Sequence, residues 1–314
     1  MRSVNANLLE INQAKSRINQ AKKEGKNPDP KDLELVKTEK QNAFAISQYT
    51  DIMTIEKFAN NFYNIFDSHA HYDDKWFDED REVLLSSMQE NGVCGIVNNA
   101  VDLATAQICI DFCEKYDFMY GAVGYHPENL ENMPSDYLDK LAELLQHKKI
   151  VAVGETGLDY HWDIPKDLQN RVFEEQIKLS LDVNMPIIVH DREAHGDTLN
   201  YLRKYKPKAL VHCFSGSVEM MREVMRYGSY ISLGGVVTFK NARHSVEVAK
   251  EVPIDRLLLE TDCPYMSPVP FRGKRCDSTM IKYTAEKIAE IRNTDVQELL
   301  NITAENAKRF YGID

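Results

Sequence analysis

Six residues of metal-ligand type recur through the chain, each at the end of a short apolar run. His69 and His71 stand two apart in NIFDSHAHYD, a spacing that turns both imidazoles to one side of an extended chain. Glu155 follows in VAVGETGLDY, His190 in PIIVHDREAH, His212 in ALVHCFSG and Asp262 in RLLLETDCPY. Imidazole is the commonest protein metal ligand. Nitrogen and oxygen donors without a thiolate suit Zn²⁺, Mn²⁺, Mg²⁺ or a similar ion. Any one of these histidines alone reads as a packed core residue; all of them at strand exits read as a site. Six donors exceed the three or four that one catalytic ion takes, so two divalent ions sharing Glu155 is the natural count.

The elements that must bring these residues together are legible from residue 64 onward. Apolar runs at 64–67, 93–97, 118–122, 150–153, 186–189, 208–211, 229–233 and 256–259 alternate with amphipathic stretches such as 78–91 and 167–184. Strands alternating with helices imply a parallel sheet with crossover helices. Eight such runs over residues 64–314 fit the roughly 250 residues of a (β/α)8 barrel. In that fold all strand C-termini open on one face, which would collect the six donors. A doubly wound open sheet is the runner-up, but no Gly-rich dinucleotide turn follows the first run.

Residues 1–63 differ in character. They are rich in Lys, Asn, Gln and Glu, with helix-like spacing of Leu8, Ile11, Ile18 and Ala21, a break at NPDP, and further periodic stretches from Asp32 and over Ile52, Ile55, Phe58, Ala59 and Phe62. They read as a mildly basic helical extension to a barrel over 64–314, and nothing in them names a protein partner. The 314-residue chain carries a formal charge of −11, which disfavours broad coating of nucleic acid or membrane. Carboxylates that hold cations offset part of that repulsion locally. The six cysteines form no C-x-x-C pair, and the N-terminus lacks the apolar core of a signal peptide. Together these features lead us to expect a soluble, cytoplasmic protein with reduced thiols and no membrane association.

FDSHAH, GYHPE, GETGLDY, VHDRE, HCFSG and ETDCPY, in that order, resemble the TatD family of metal-dependent hydrolases in the amidohydrolase-type barrel superfamily. The resemblance runs from about Ile65 to Gly312. It implies a divalent-metal hydrolase on a TIM-type barrel, in a family whose members are described as deoxyribonucleases working on DNA ends. It also implies that His69, His71, Glu155 and Asp262 hold one ion, and Glu155, His190 and His212 the second. Residues 1–63 depart from the family pattern, as does Cys276-Asp277, which replaces a more usual Asn-containing continuation.

Two divalent ions roughly 3.5–4 Å apart can clamp a phosphodiester and bring the pKa of a water from ~15.7 to about 7. Asp262 is then either the group that orients and deprotonates the water or a plain ligand, while a bridging Glu155 takes part as ligand rather than free base. On the substrate side, His126 in GYHP could donate to a phosphate oxygen. Arg192, and Arg272 with Lys274 and Arg275, could meet phosphate. Trp162 and Tyr160 could stack a terminal base, and Asp159 could orient a metal histidine. Cys213 and Cys263 read as packing residues whose side chains point away from the adjacent ligands. The same ions could polarise an amide or ester carbonyl, so an amidase or a deacylase acting on aminoacyl groups is the second hypothesis. The acidic charge favours it; the absence of a lysine ligand where Glu155 stands disfavours the cyclic-amide hydrolases. A non-catalytic binder is the third, made unattractive by the complete donor set.

Overall fold

Each of the eight apolar runs becomes a strand, because Val-, Ile- and Leu-rich segments flanked by helices bury both faces in a parallel sheet. The computed structural model describes Arg17, Gln20, Ala21, residues 26–32 and residues 62–313. By contacts the chain divides into two units, Met1–Asn61 and Phe62–Asp314. In the first, the Arg17 guanidinium grips the Asp32 carboxylate through two bonds of 2.9 and 2.7 Å. The helical stretches expected over residues 1–63 otherwise lie outside the described residues.

In the second unit the strands are β1 (Ile65–Ala70), β2 (Val93–Asn99), β3 (Met119–Val123), β4 (Ile150–Asp159), β5 (Ile187–Arg192), β6 (Ala209–Val211), β7 (Tyr230–Leu233) and β8 (Leu257–Leu259). They pair in sequence order, every pair parallel. The Asp262 amide donates to the His69 carbonyl at 3.0 Å and the His71 amide to the Cys263 carbonyl at 2.9 Å, with a parallel bridge between Ala70 and Cys263. These bonds carry the end of β8 back to β1, and the sheet is a nearly closed (β/α)8 barrel. The connecting helices are α1 (Arg81–Ser87), α2 (Leu103–Lys115), α3 (Tyr137–Leu144), α4 (Lys166–Asp182), α5 (His195–Tyr205), α6 (Val218–Arg226), α7 (Arg243–Glu251), α8 (Ile281–Arg292) and α9 (Val296–Tyr311). No helix among the described residues is long and apolar enough to cross a membrane.

Two apolar clusters follow from strand alternation. One fills the space between strands and helices and includes Ile96, Val153, Ile187, Val189 and Leu259. The other takes Phe66, Val97, Ala122, Ala152, Ile188, Leu210, Tyr230 and Leu258 from successive strands, together with Ala304, Phe310 and Tyr311 of α9. That second set packs the barrel interior, leaving only the C-terminal strand ends open for polar residues.

His190 lies two residues beyond the inward Ile188, and His212 two beyond Leu210, so alternation alone turns them inward. His69 and Glu155 lie three beyond Phe66 and Ala152, and alternation alone would turn them out. In β1, Asp67 and Ala70 face Ile96 and Asn98 of β2, one residue more on β1 than on its partner. In β4, Val153 and Thr156 face Ile187 and Val189, again with one residue extra. These two bulges reset the alternation and swing His69, His71 and Glu155 into the mouth. Gly154 makes the second one feasible: its φ is +150°, and a Cβ there would lie 2.8 Å from the Ile188 Cβ.

Candidate metal centre

The Glu155 carboxylate is buried at the centre of the mouth and its two oxygens face different histidines. Oε2 lies 3.2 Å from His69 Nε2 and 3.3 Å from His71 Nε2. Oε1 lies 2.8 Å from His212 Nε2, 3.0 Å from His190 Nδ1 and 3.4 Å from His126 Nε2. Asp262 Oδ1 completes the first side, 3.5 Å from His71 Nε2 and 3.7 Å from His69 Nε2. All six donors singled out from the sequence therefore meet in one place, from five strands. Among the described residues, His69–His71–Asp262, His69–Glu155–His212 and His126–Glu155–His190 are compact enough to hold a metal ion.

The outer partners decide which ring nitrogen carries a lone pair inward. His71 Nδ1 meets the Asn99 carbonyl at 2.9 Å, so the proton sits there and Nε2 is the free donor. His190 Nε2 meets Asp159 Oδ2 at 2.9 Å, so its Nδ1 faces Glu155 as the free donor. His126 is the opposite case: its Nδ1 accepts the Glu128 amide at 3.2 Å, which leaves the proton on Nε2, pointing at Glu155. Geometrically His126 joins the third cluster, yet chemically it is a hydrogen-bond donor to the site.

The charge pattern fits a cation. His69 Nε2 and His71 Nε2 are 3.0 Å apart, a separation at which two lone pairs repel unless a positive charge stands between them or one ring is protonated. Withdrawal from solvent would lower the His71 pKa, but the Asp262 and Glu155 carboxylates hold it well above the usual value. His190 shows the same contest, with Asp159 and Glu155 overcoming burial to raise it to about 9. Burial would raise Glu155, but the surrounding imidazoles, His212 and His69 foremost, hold it well below the usual carboxylate range. Burial dominates at His126 and keeps that ring neutral. An ionised carboxylate ringed by imidazoles that it holds in their charged form is a place where a divalent cation can take over from the protons.

The family described as TatD related DNase matches residues 66–312. The chain belongs to the TatD family. It is 45% identical over 254 residues to the uncharacterized metal-dependent hydrolase YabD of Bacillus subtilis (strain 168), covering 80% of this chain and 100% of that one. It is 36% identical over 257 residues to the metal-dependent hydrolase YcfH of Escherichia coli (strain K12), covering 80% and 96%. The crystal structure of the TatD homolog YJJV from E. coli K12 superimposes with a TM-score of 0.76 at 29% identity, over 80% of this chain and 99% of that one.

Within this TatD-family barrel the substrate-side candidates separate. Asp159 is fully buried behind His190. Trp162 is 48% exposed on the loop after β4, with the Arg192 guanidinium 5.8 Å from its ring centroid. Arg192 also stands 4.0 Å from Asp159 Oδ2. Arg272 is outside the donor cluster, stacked 3.7 Å over the Phe239 ring with a bond to the Ser267 carbonyl. Arg275 does not line an anion pocket; it chelates Asp80 at 2.7 and 2.6 Å and ties the Trp76 carbonyl at 2.7 Å. Tyr160 is engaged by Asp197 and Asn170 through its hydroxyl. The Cys213 thiol lies against Glu260, with burial first and then the Glu260, Asp262 and Glu155 charges pushing its pKa well up.

Four residues at this end of the barrel were not singled out from the sequence. The Asn99 carbonyl is a backbone group, invisible to residue type. Trp76 and Tyr265, 51% and 47% exposed on loops after β1 and β8, form an aromatic pair at the rim, ring centroids 6.0 Å apart. Glu260 is fully buried two residues before Asp262. Its shared parity with the inward Leu258 was the available signal.

Proposed function

We propose that this TatD-family chain is a metal-dependent hydrolase that cleaves phosphodiesters at the ends of DNA, using two divalent ions. The observation that carries the reading is the split of Glu155, one oxygen toward His69 and His71, the other toward His190 and His212. In it, His69, His71, Asp262 and Glu155 hold one ion and Glu155, His190 and His212 the other. Ions in such a centre act as Lewis acids on phosphoryl oxygens and make water a stronger nucleophile at neutral pH.

The chain's own groups supply the rest. Burial would raise Asp262, but its hydrogen bond to His71 and the neighbouring imidazoles keep it below its usual pKa, and therefore ionised. It can orient the attacking water and accept its proton as the new P–O bond forms and the ester P–O bond breaks. The neutral His126 presents its Nε2–H to a non-bridging oxygen, where negative charge grows in the transition state. Trp162, with Arg192 over it, offers a face for a terminal base and a cation for the adjoining phosphate. The Trp76–Tyr265 pair offers a second face across the rim. Arg272 contributes positive charge farther out, on the loop after β8.

A second reading, cleavage of an amide or ester such as an aminoacyl group, is favoured by the charge of −11, which suits an uncharged substrate better than a polyanion. End-labelled single-stranded and duplex DNA incubated with Mg²⁺ or Mn²⁺ separates the two. Progressive shortening from the ends supports the first. Intact DNA alongside metal-dependent turnover of amides or esters supports the second and overturns the first.

A further inference from the structure

Among the described residues, His212 Nδ1 and Glu260 Oε1 are two of the buried side-chain atoms around the centre that have no hydrogen-bond partner. They face each other at 3.8 Å. Glu260 is fully enclosed, and its other oxygen accepts the Ser232 hydroxyl at 2.5 Å. The carboxylate is thus anchored from β7, with its free oxygen toward the imidazole. On the far side of that ring, Nε2 lies 2.8 Å from Glu155 Oε1. At 3.8 Å the Glu260 contact is longer than a hydrogen bond and acts through charge. The Cys213 thiol also lies against Glu260, but a thiol is a weak donor and leaves the acceptor to the imidazole.

We propose that Glu260 is a positioning residue: it keeps the His212 proton on Nδ1 and so directs the Nε2 lone pair at the ion position shared with Glu155 and His190. A neutral imidazole carries one proton. A carboxylate oxygen without a proton donor accepts an N–H, so its place decides which nitrogen keeps that proton. Asp159 does the same for His190 from the opposite ring nitrogen, leaving Nδ1 inward. Both histidines of this position are then backed by a carboxylate, which raises their basicity toward a cation. Naming the position affected rests on the two-ion reading; the claim about the proton does not.

The test uses the full chain. Burial would lower the His212 pKa, but the Glu155 and Glu260 carboxylates hold it well above its usual value. Metal-free protein with ¹⁵N-labelled histidine is therefore measured at alkaline pH, where the ring is neutral, and long-range ¹⁵N–¹H correlation is expected to show His212 as the Nδ1–H tautomer in the wild type, and a mixture or the other tautomer in Glu260→Ala. Co²⁺ titration, followed by visible absorption, is expected to show one of two ions bound about 10–100-fold more weakly in Glu260→Ala, the other unchanged. Glu260→Gln, which still offers a carbonyl oxygen, should recover part of that loss. Ser232→Ala, which releases the anchor, should shift the same ion by less. If the Ala variant does not fold, the Gln and Ser232 variants carry both measurements. An unchanged His212 tautomer, or wild-type Co²⁺ affinity and spectrum in the Glu260 variants, overturns the assignment. A wild type that binds a single ion sinks the two-ion reading instead, and the tautomer alone then decides for Glu260.

Discussion

The two sides of the centre are built from the same side chains and held by different means. On the β1/β8 side, His71 is set by a backbone carbonyl, and His69 by packing, its ring stacked 3.8 Å from that of His212 with Nδ1 buried and unpartnered. Beneath them Asp67 ties β1 to the β8 loop, accepting the Thr261 hydroxyl and amide and the Ser278 hydroxyl. Burial outweighs those bonds and lifts the Asp67 pKa to about 7. On the β5/β6 side the imidazoles are backed by Asp159 and Glu260. One side is positioned by backbone and packing, the other by charge. Carboxylates behind imidazoles strengthen the grip on a cation, but a single side-chain change can undo them, whereas no substitution removes a backbone carbonyl.

The largest expected effect comes where the sides join. Glu155→Gln should cost turnover at least the roughly 10²–10³-fold lost with one preorganised electrostatic contact, and should deplete metal from both sides. Kinetics beside elemental analysis checks this; full activity would mean the two sides act independently. A contrasting pair sharpens the comparison. Asp159→Asn should weaken one ion about 10–100-fold, while Asn99→Ala, which keeps the carbonyl that holds His71, should leave metal titration curves unchanged. At the rim, Trp162→Ala should raise KM for DNA about fivefold, the low end for an exposed stacking ring. Trp76→Ala should raise it less, because Asp74 accepts both the Trp76 amide and the Tyr265 hydroxyl and so sets a carboxylate beside that pair. The smallest effect concerns the brace across the β1 and β8 loops. Arg275 holds the Asp80 carboxyl below its ordinary 3.8. The folded pKa is depressed, so this contribution is complete above the ordinary value and disappears as pH falls through the lower one. Arg275→Met should therefore destabilise by about 0.5 kcal/mol at pH 7, with the gap to wild type narrowing below about pH 4 in denaturant titrations. A gap that widens on acidification would refute that sign.

The difference between the sides also marks what could be read beforehand. His190 and His212 follow from alternation alone, since Ile188 and Leu210 point inward two residues earlier. His69, His71 and Glu155 were identified by residue type, but their orientation depends on two bulges that hydropathy does not display. β4 was expected to end at Val153; it runs to Asp159 because Thr156–Asp159 pair with β5 through polar residues that an apolar search passes over. Arg275 was misplaced because a basic run does not say which carboxylate lies opposite. His126 was singled out as a donor, and the Glu128 amide behind it is what puts its proton on the inner nitrogen.

The central claim is that six side chains from five strands make one centre for two ions. Elemental analysis of protein purified without chelator, for wild type, His69→Ala and His212→Ala, tests it most directly. The account predicts about two divalent ions per wild-type chain and about one in each variant, with the remaining ion on the opposite side. Fewer than one ion per chain in a wild type that is turning over substrate would contradict it.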